Sequence, residues 1–84
     1  MTFARELAAD GIRVNAIAPG VILTDTIRAE MAAETLSRIK SMQYLCADGE
    51  EQDIVDAMLF LTGPTSKFIT GETLRVTGGF AAGI

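Results

Sequence analysis

The residue types that most often carry out chemistry are scarce in this sequence. It has one cysteine, one tyrosine and no histidine among 84 residues. Cys46 therefore has no second cysteine for an internal disulfide and no histidine with which to share a zinc ion. A lone cysteine is most often a small hydrophobic residue. We therefore predict no metal site, and a reducing, cytoplasmic location fits this cysteine usage best.

The other candidate for chemistry is the short segment from Pro19 to Thr24. Proline cannot donate to a hydrogen-bond ladder, so Pro19 and Gly20 are expected to end a strand in a turn. The Thr24 hydroxyl could contact a ligand, or it could cap the helix that follows. On these residues alone, a turn and a cap are sufficient explanations. Asn15 is expected only to satisfy neighbouring backbone groups.

The pattern of apolar residues predicts the elements that position this segment. Residues 1–10 are typical of the last turns of a helix that Gly11 stops, and alternation predicts a strand over residues 12–18. A helix capped by Asp25 or Thr26 follows, and a second short helix is predicted over residues 33–42.

A long helix and a final strand complete the predicted elements. The helix covers residues 49–61, with Ile54, Met58 and Leu61 as its apolar stripe. Asp48 is its expected cap, with Glu51 three residues later. The strand runs from Thr73 to Thr77 and places Leu74 and Val76 on one face.

Two strands joined across helices predict a parallel crossover of the kind found in doubly wound α/β sheets. Two parallel strands alone leave an unpaired edge on each strand, and parallel sheets normally have several strands with helices on both faces. At this length, folding buries only about 60% of the surface that the unfolded chain exposes. The chain is therefore predicted to be part of a larger α/β sheet.

Charge and hydropathy exclude two classes of partner. The net charge is −4 and no basic cluster is present, so nucleic acid is not an expected partner. The longest apolar stretch, residues 54–61, is interrupted by Asp56 and is far shorter than the roughly 20 residues of a membrane span. The first residues have neither the basic start nor the apolar core of an export signal, so no membrane association is expected.

Four strings of residues carry a family resemblance: IRVNAIAPGVILT at 12–24, MLFL at 58–61, FITG at 68–71 and LRVTGG at 74–79. In this order and at these distances they resemble the last third of the short-chain dehydrogenase/reductase family. The resemblance covers nearly the whole chain, and the combination is specific although each string alone is weak. Within the family, the PGVILTD string is most similar to the hydroxysteroid dehydrogenase branch, followed by acyl-carrier-protein reductases and sugar dehydrogenases.

The resemblance implies that residues 1–84 are one partial domain, the C-terminal part of a Rossmann-type oxidoreductase that uses NAD or NADP. The complete enzyme would transfer hydride between the cofactor and a carbonyl or secondary alcohol, with a hydroxysteroid as one candidate substrate. By similarity, Pro19 and Gly20 shape the loop that meets the nicotinamide. The backbone of Ile22 would bind the carboxamide, and the Thr24 hydroxyl would bind the carboxamide or the pyrophosphate. Residues of about 21–48 would form the lid over the substrate.

The sequence lacks the family's catalytic set. Tyr44 is the only tyrosine, and Asp48 stands four residues later, so Tyr44 is not the base of a Tyr-x-x-x-Lys motif. No G-x-G-x-x-G phosphate loop is present. We predict no catalytic residue, no activity and at most weak cofactor binding for these 84 residues alone. Smaller departures are Thr77, where relatives usually have aspartate, and Tyr44 and Glu51, where they often have proline.

Three interpretations remain open. In the first, the chain is part of an oxidoreductase, acts on a small-molecule substrate, and pairs with an N-terminal segment or forms a homo-oligomer. In the second, it is a non-catalytic interaction or oligomerisation module derived from the family, which binds a full-length relative through the long helix and the last strand. In the third, it is a free-standing small α/β protein, which the exposed sheet edges disfavour.

Overall fold

The structure is a computed structural model and describes residues 2–80. In chain order the elements are helix α1 (Thr2–Leu7), a 3₁₀ turn (Ala8–Asp10), strand β1 (Ala16–Pro19), helices α2 (Asp25–Glu30), α3 (Ala33–Ser41) and α4 (Glu51–Thr62), a second 3₁₀ turn (Pro64–Ser66) and strand β2 (Thr73–Val76). The predicted order of elements is confirmed, including the short helix over residues 33–42.

The two strands lie side by side and run parallel, as the crossover prediction requires. Ala16 pairs with Thr73 and Pro19 pairs with Val76, so the two strands end at the same level. The carboxyl ends of parallel strands are where α/β sheets bind their ligands. The segments after Pro19 and after Val76 therefore share the edge of the sheet at which a site is expected.

Strand β1 is shorter than the predicted strand over residues 12–18 and begins only at Ala16. Side chains make several of the contacts of the preceding residues: the Arg13 guanidinium donates to the carbonyls of Gly63 and Ile69. Asn15 donates to the Ile69 carbonyl at 3.0 Å and accepts from the Glu72 amide at 3.1 Å. The prediction that Asn15 satisfies neighbouring backbone groups is thus confirmed.

Two glycines end helices where the sequence predicted a stop. Gly11 closes the first helical segment with φ of 74°, in the left-handed region that residues with a Cβ atom avoid. Gly63 follows the last residue of α4, and Pro64 begins the next turn. The stop signals in the sequence are therefore confirmed.

The predicted cap of the long helix is wrong. Helix α4 begins at Glu51, and Glu50 is its N-cap residue: the Asp53 amide donates to the Glu50 carbonyl at 2.9 Å, while Asp53 Oδ2 accepts from the Glu50 amide at 2.8 Å. The Asp53 carboxylate thus reaches back to the N-cap amide as in a capping box, and the two contacts satisfy two amide groups at the helix start. Asp48 faces two basic side chains instead.

The core within residues 2–80 is thin. Among these residues only Ala4, Leu61 and Ser66 are buried, and the predicted stripe residue Met58 is 52% exposed. An open groove of about 390 Å³ separates β1 from α4. The radius of gyration is 15.7 Å, whereas a compact domain of this length would have about 12 Å. The chain folds as an open layer with little interior of its own.

Candidate functional site

The turn after β1 depends on a close approach of the two strand ends. The Gly20 amide donates to the Val76 carbonyl at 2.9 Å, which continues the ladder by one residue. A Cβ atom on Gly20 would lie 2.8 Å from the Thr77 Cα atom. Only glycine fits at this position without a shift of the backbone. The structure thus gives Gly20 a packing role, and Pro19 is the last paired residue of β1.

A segment that we call the strap, residues 43–49, holds the loop that contains Ile22. Gly49 and Ile22 form an isolated parallel bridge, and the Leu23 amide donates to the Gly49 carbonyl at 2.8 Å. Successive residues of an extended chain direct their amide and carbonyl groups to opposite sides. Because Leu23 faces the strap, the amide of Ile22 faces away from it, and no residue among 2–80 hydrogen-bonds to the Ile22 backbone.

Thr24 is the cap of helix α2. Its Oγ1 atom accepts from the Ile27 amide at 3.2 Å. The prediction of Asp25 or Thr26 as the cap is therefore wrong by one or two residues, and the alternative that Thr24 is a cap is confirmed. A hydroxyl that accepts one hydrogen bond still carries a proton that it can donate. The capping contact and a ligand contact are therefore compatible.

The strap also joins the end of β2. The Leu45 amide donates to the Gly78 carbonyl at 2.9 Å. Within the strap, Gln43 Nε2 donates to the carbonyls of Leu45 and Ala47 at 3.1 and 2.9 Å. The strap therefore connects the segments that follow the two strands and has its own internal brace.

Asp48 fixes the strap to the two short helices. Its carboxylate oxygens lie 3.1 Å from Arg28 Nη1 of α2 and 2.9 Å from Lys40 Nζ of α3. The hydrogen bonds from Lys40 and then Arg28 hold the pKa of Asp48 below its ordinary value, and the same contact raises the pKa of Lys40. One carboxylate thus connects α2, α3 and the strap.

The turn after β2 uses a hydroxyl where a carboxylate was expected from the resemblance. Thr77 Oγ1 accepts from the Gly79 amide at 3.1 Å. Both glycines of this turn have positive φ, 63° at Gly78 and 89° at Gly79. Thr77 thus makes the local side-chain to backbone contact that short polar residues make in turns.

The remaining chemistry-bearing residues are not gathered into a site. Tyr44 and Cys46 are both exposed. Over residues 2–80, no three side chains of the metal-binding types come together. Within the same residues, no helix has the length and apolar character needed to cross a membrane.

Sequence reasoning missed the strap. The signal for the strap was a single glycine, Gly49, just ahead of the long helix. The predicted helix included this glycine as its first residue. A Cβ atom on Gly49 would lie 2.6 Å from the Val21 carbonyl oxygen and 3.1 Å from Ile22 Cδ1. Glycine at this position therefore marks a contact between distant segments, which one sequence does not reveal.

Comparisons with known proteins agree with this arrangement. The family model described as Enoyl-(Acyl carrier protein) reductase matches residues 1–81. The 3-oxoacyl-[acyl-carrier-protein] reductase FabG of Vibrio harveyi is 41% identical over 81 residues, which are 93% of this chain and 32% of the relative. The chain thus spans about a third of the length of the curated relatives it matches.

Two solved structures superpose on nearly the whole chain. A 4-hydroxyisoleucine dehydrogenase complexed with NADH has a TM-score of 0.86 and 37% identity, over 99% of this chain and 35% of that one. A hydroxysteroid dehydrogenase from Escherichia coli also has a TM-score of 0.86 and 37% identity, over 93% of this chain and 33% of that one. Sequence and structure agree, and the chain belongs to the short-chain dehydrogenase/reductase family.

Proposed function

We propose that residues 1–84 supply the nicotinamide-facing loop of an oxidoreductase that transfers hydride between NAD or NADP and a carbonyl or secondary alcohol. The observation that carries the proposal is the backbone of Ile22. It lies at the carboxyl edge of the parallel sheet, and its amide is turned away from the strap. Family membership supports the same reaction class.

The residues of the loop suit the carboxamide of a nicotinamide. A planar amide needs a donor and an acceptor held at fixed positions, and the amide and carbonyl of Ile22 offer both. The Thr24 hydroxyl retains a proton for the carboxamide or the pyrophosphate. Pro19 and Gly20 end β1 so that the loop begins at the sheet edge. The bound cofactor would supply or accept the hydride, and the chain's own residues would orient it.

We further propose that residues of about 21–48 form a lid over the substrate. Helices α2 and α3 lie in this range, and Arg28 and Lys40 connect them through Asp48. The substrate is proposed to be a carbonyl compound or secondary alcohol of the acyl-carrier-protein or hydroxysteroid type, because relatives with those names align with this segment.

The acid and base of the reaction are proposed to lie outside these 84 residues, since the sequence has no Tyr-x-x-x-Lys motif and no phosphate loop. We expect the chain alone to show no dehydrogenase activity and at most weak cofactor binding. Titration calorimetry with NAD and with NADP tests this expectation. Submicromolar binding by the chain alone would contradict it.

The direct test is a chimera, called here the FabG chimera, in which residues 1–81 replace the matching third of the Vibrio harveyi relative. NADH and NADPH oxidation are assayed with a 3-oxoacyl substrate. Ile22→Pro removes the amide proposed to bind the carboxamide, whereas the matched variant Ile22→Ala keeps it. We expect a rise of about tenfold in KM for the cofactor with Pro, the size of a lost hydrogen bond, and a much smaller rise with Ala. Equal KM values in the two variants would contradict the proposal.

One observation favours a second candidate function, that of an interaction module. Helix α4 exposes Val55, Met58 and Leu59, and β2 exposes Leu74. Such a surface suits another protein chain. Light scattering after gel filtration tests this candidate. A stable oligomer without turnover would favour it, whereas turnover in the FabG chimera would favour the enzyme.

A further inference from the structure

We infer that Gly49 is a positioning residue: through the strap, it sets the orientation of the Ile22 backbone toward the cofactor. The inference rests on the proposed function and deepens it, because it names the part of the chain that holds the cofactor-facing amide in place. Gly49 does not touch the cofactor in this proposal. It acts through Val21, Ile22 and Leu23.

The first argument is the spacing between the strap and the loop. A Cβ atom at position 49 would lie 2.6 Å from the Val21 carbonyl oxygen, closer than such atoms ever approach, and 3.1 Å from Ile22 Cδ1. The φ angle of Gly49 does not lie in the left-handed region. The requirement for glycine is therefore a requirement for close contact and not for an unusual backbone angle.

The second argument is the direction of the backbone groups. The Leu23 amide is held at 2.8 Å from the Gly49 carbonyl. With Leu23 fixed in this way, the alternation along an extended segment turns the Ile22 amide to the opposite side. Displacing Gly49 by the thickness of a methyl group would release Leu23 and let Ile22 rotate.

The third argument is that the strap is itself held at two points. The residue before Gly49 is Asp48, which bonds to Arg28 and Lys40. Four residues before Gly49, the Leu45 amide donates to the Gly78 carbonyl. The Leu45 bond to the end of β2 and the weaker ion pairs to α2 and α3 oppose a movement of the strap away from the loop. The strain of a Gly49→Ala change therefore falls on the loop.

Amide hydrogen exchange in the full 84-residue chain tests the structural half of this inference. In Gly49→Ala we expect the Leu23 amide to lose its protection, while the Gly20 amide, bonded to the Val76 carbonyl, keeps its own. The control is Gly11→Ala, which strains the left-handed φ of 74° but adds a Cβ that meets no atom within 4 Å, so any loss of stability comes without a contact to the loop. It should leave Leu23 protected. A Leu23 amide that stays protected in Gly49→Ala would overturn the inference.

Kinetics in the FabG chimera test the cofactor half. In Gly49→Ala, KM for NADH or NADPH should rise by about tenfold, with a smaller change in kcat, as expected for lost hydrogen bonding to the bound cofactor. Gly11→Ala should show neither change. An unchanged KM in an active chimera overturns the inference. An inactive unmodified chimera counts against the proposed function. The exchange measurement is then repeated in the chimera, so that the isolated chain need not fold by itself. It still decides whether Gly49 fixes the loop.

Discussion

Two regions of this molecule are held together in different ways. The loop and strap, residues 20–24 and 43–49, are tied by backbone hydrogen bonds to one another and to the end of β2. In the layer formed by α4 and β2, the helix makes no backbone hydrogen bond to either strand within residues 2–80 and exposes apolar side chains such as Leu59, which is 63% exposed, while Leu61 is buried. The first region is organised by contacts within the chain, whereas the second offers apolar surface to something else.

The difference separates the geometry of the site from the stability of the fold. Backbone hydrogen bonds are directional and fix the orientation of a loop, but each adds only about 0.5–1.5 kcal/mol. Burial of apolar side chains is non-directional and contributes most of the stability of a domain. A chain can therefore carry a well-defined site and still depend on further surfaces to stay folded.

The largest effect is expected at the few buried residues. Leu61→Ala should destabilise the 84-residue chain by about 2–5 kcal/mol, because it removes a buried side chain and leaves a cavity. Leu59→Ala, on the same helix but exposed, should change stability by less than about 0.5 kcal/mol. Urea unfolding followed by circular dichroism measures both. Similar losses in the two variants would show that α4 has no preferred buried face.

The next effect tests the junction of the two regions. Gly20→Ala should cost about 1–3 kcal/mol, since the added methyl group meets the Thr77 backbone and the ends of β1 and β2 must separate. The Gly20 amide should then exchange faster. Gly11→Ala, strained in φ but with open space around it, should lose stability without affecting that amide. If Gly20→Ala kept the amide protected, the close approach of the strand ends would not matter.

A smaller effect is expected at the start of α2. Thr24→Ala removes the hydroxyl that accepts from the Ile27 amide and should cost about 1 kcal/mol, whereas Thr24→Ser keeps a cap and should cost less. Helix content by circular dichroism and chemical shifts of residues 25–30 follow the change. A serine variant as weakened as the alanine variant would point to the Thr24 methyl group and not to the cap.

The smallest effect concerns the ion pairs of Asp48. Lys40 and then Arg28 lower the pKa of its carboxyl. A lowered folded-state pKa adds stability above the unfolded-state value, and this stability is lost as the pH falls through the folded-state pKa, below about 4. The raised pKa of Lys40 works in the opposite direction, so its contribution is lost only in strongly alkaline solution.

Urea midpoints measured between neutral and strongly acid pH check this dependence. Asp48→Asn should slightly reduce the fall of the urea midpoint toward acid pH. The change is small because exposed ion pairs contribute little. Asp10→Asn, which removes an exposed carboxylate that pairs with neither Arg28 nor Lys40, serves as the control. If the urea midpoint of the unchanged chain did not fall toward acid pH, the idea that Asp48 attaches α2 and α3 to the strap would be contradicted.

The order of elements was largely predictable from local signals. Gly11 and Gly63 end helices where the sequence indicates a stop, and alternation located both strands to within a few residues. The errors fall at helix starts. Thr24 and Glu50 are the caps, although neighbouring polar residues were equally suitable by type. Which of several adjacent polar residues becomes the cap depends on the direction from which the chain enters the helix. The local sequence does not indicate that direction.

The sequence by itself determined the parallel α/β order through local periodicity. The resemblance of its strings at fixed distances gave the family, and the same resemblance implies residues 19–24 as the candidate cofactor loop. Only the tertiary structure decided that Gly49 lies against Val21, that Asp48 joins Arg28 and Lys40, and that Gly20 packs on Thr77. All but the Lys40 contact join residues that are far apart in the chain. Such contacts are set by the path of the backbone through space, and a single sequence carries no signal for them beyond an unremarkable glycine or aspartate.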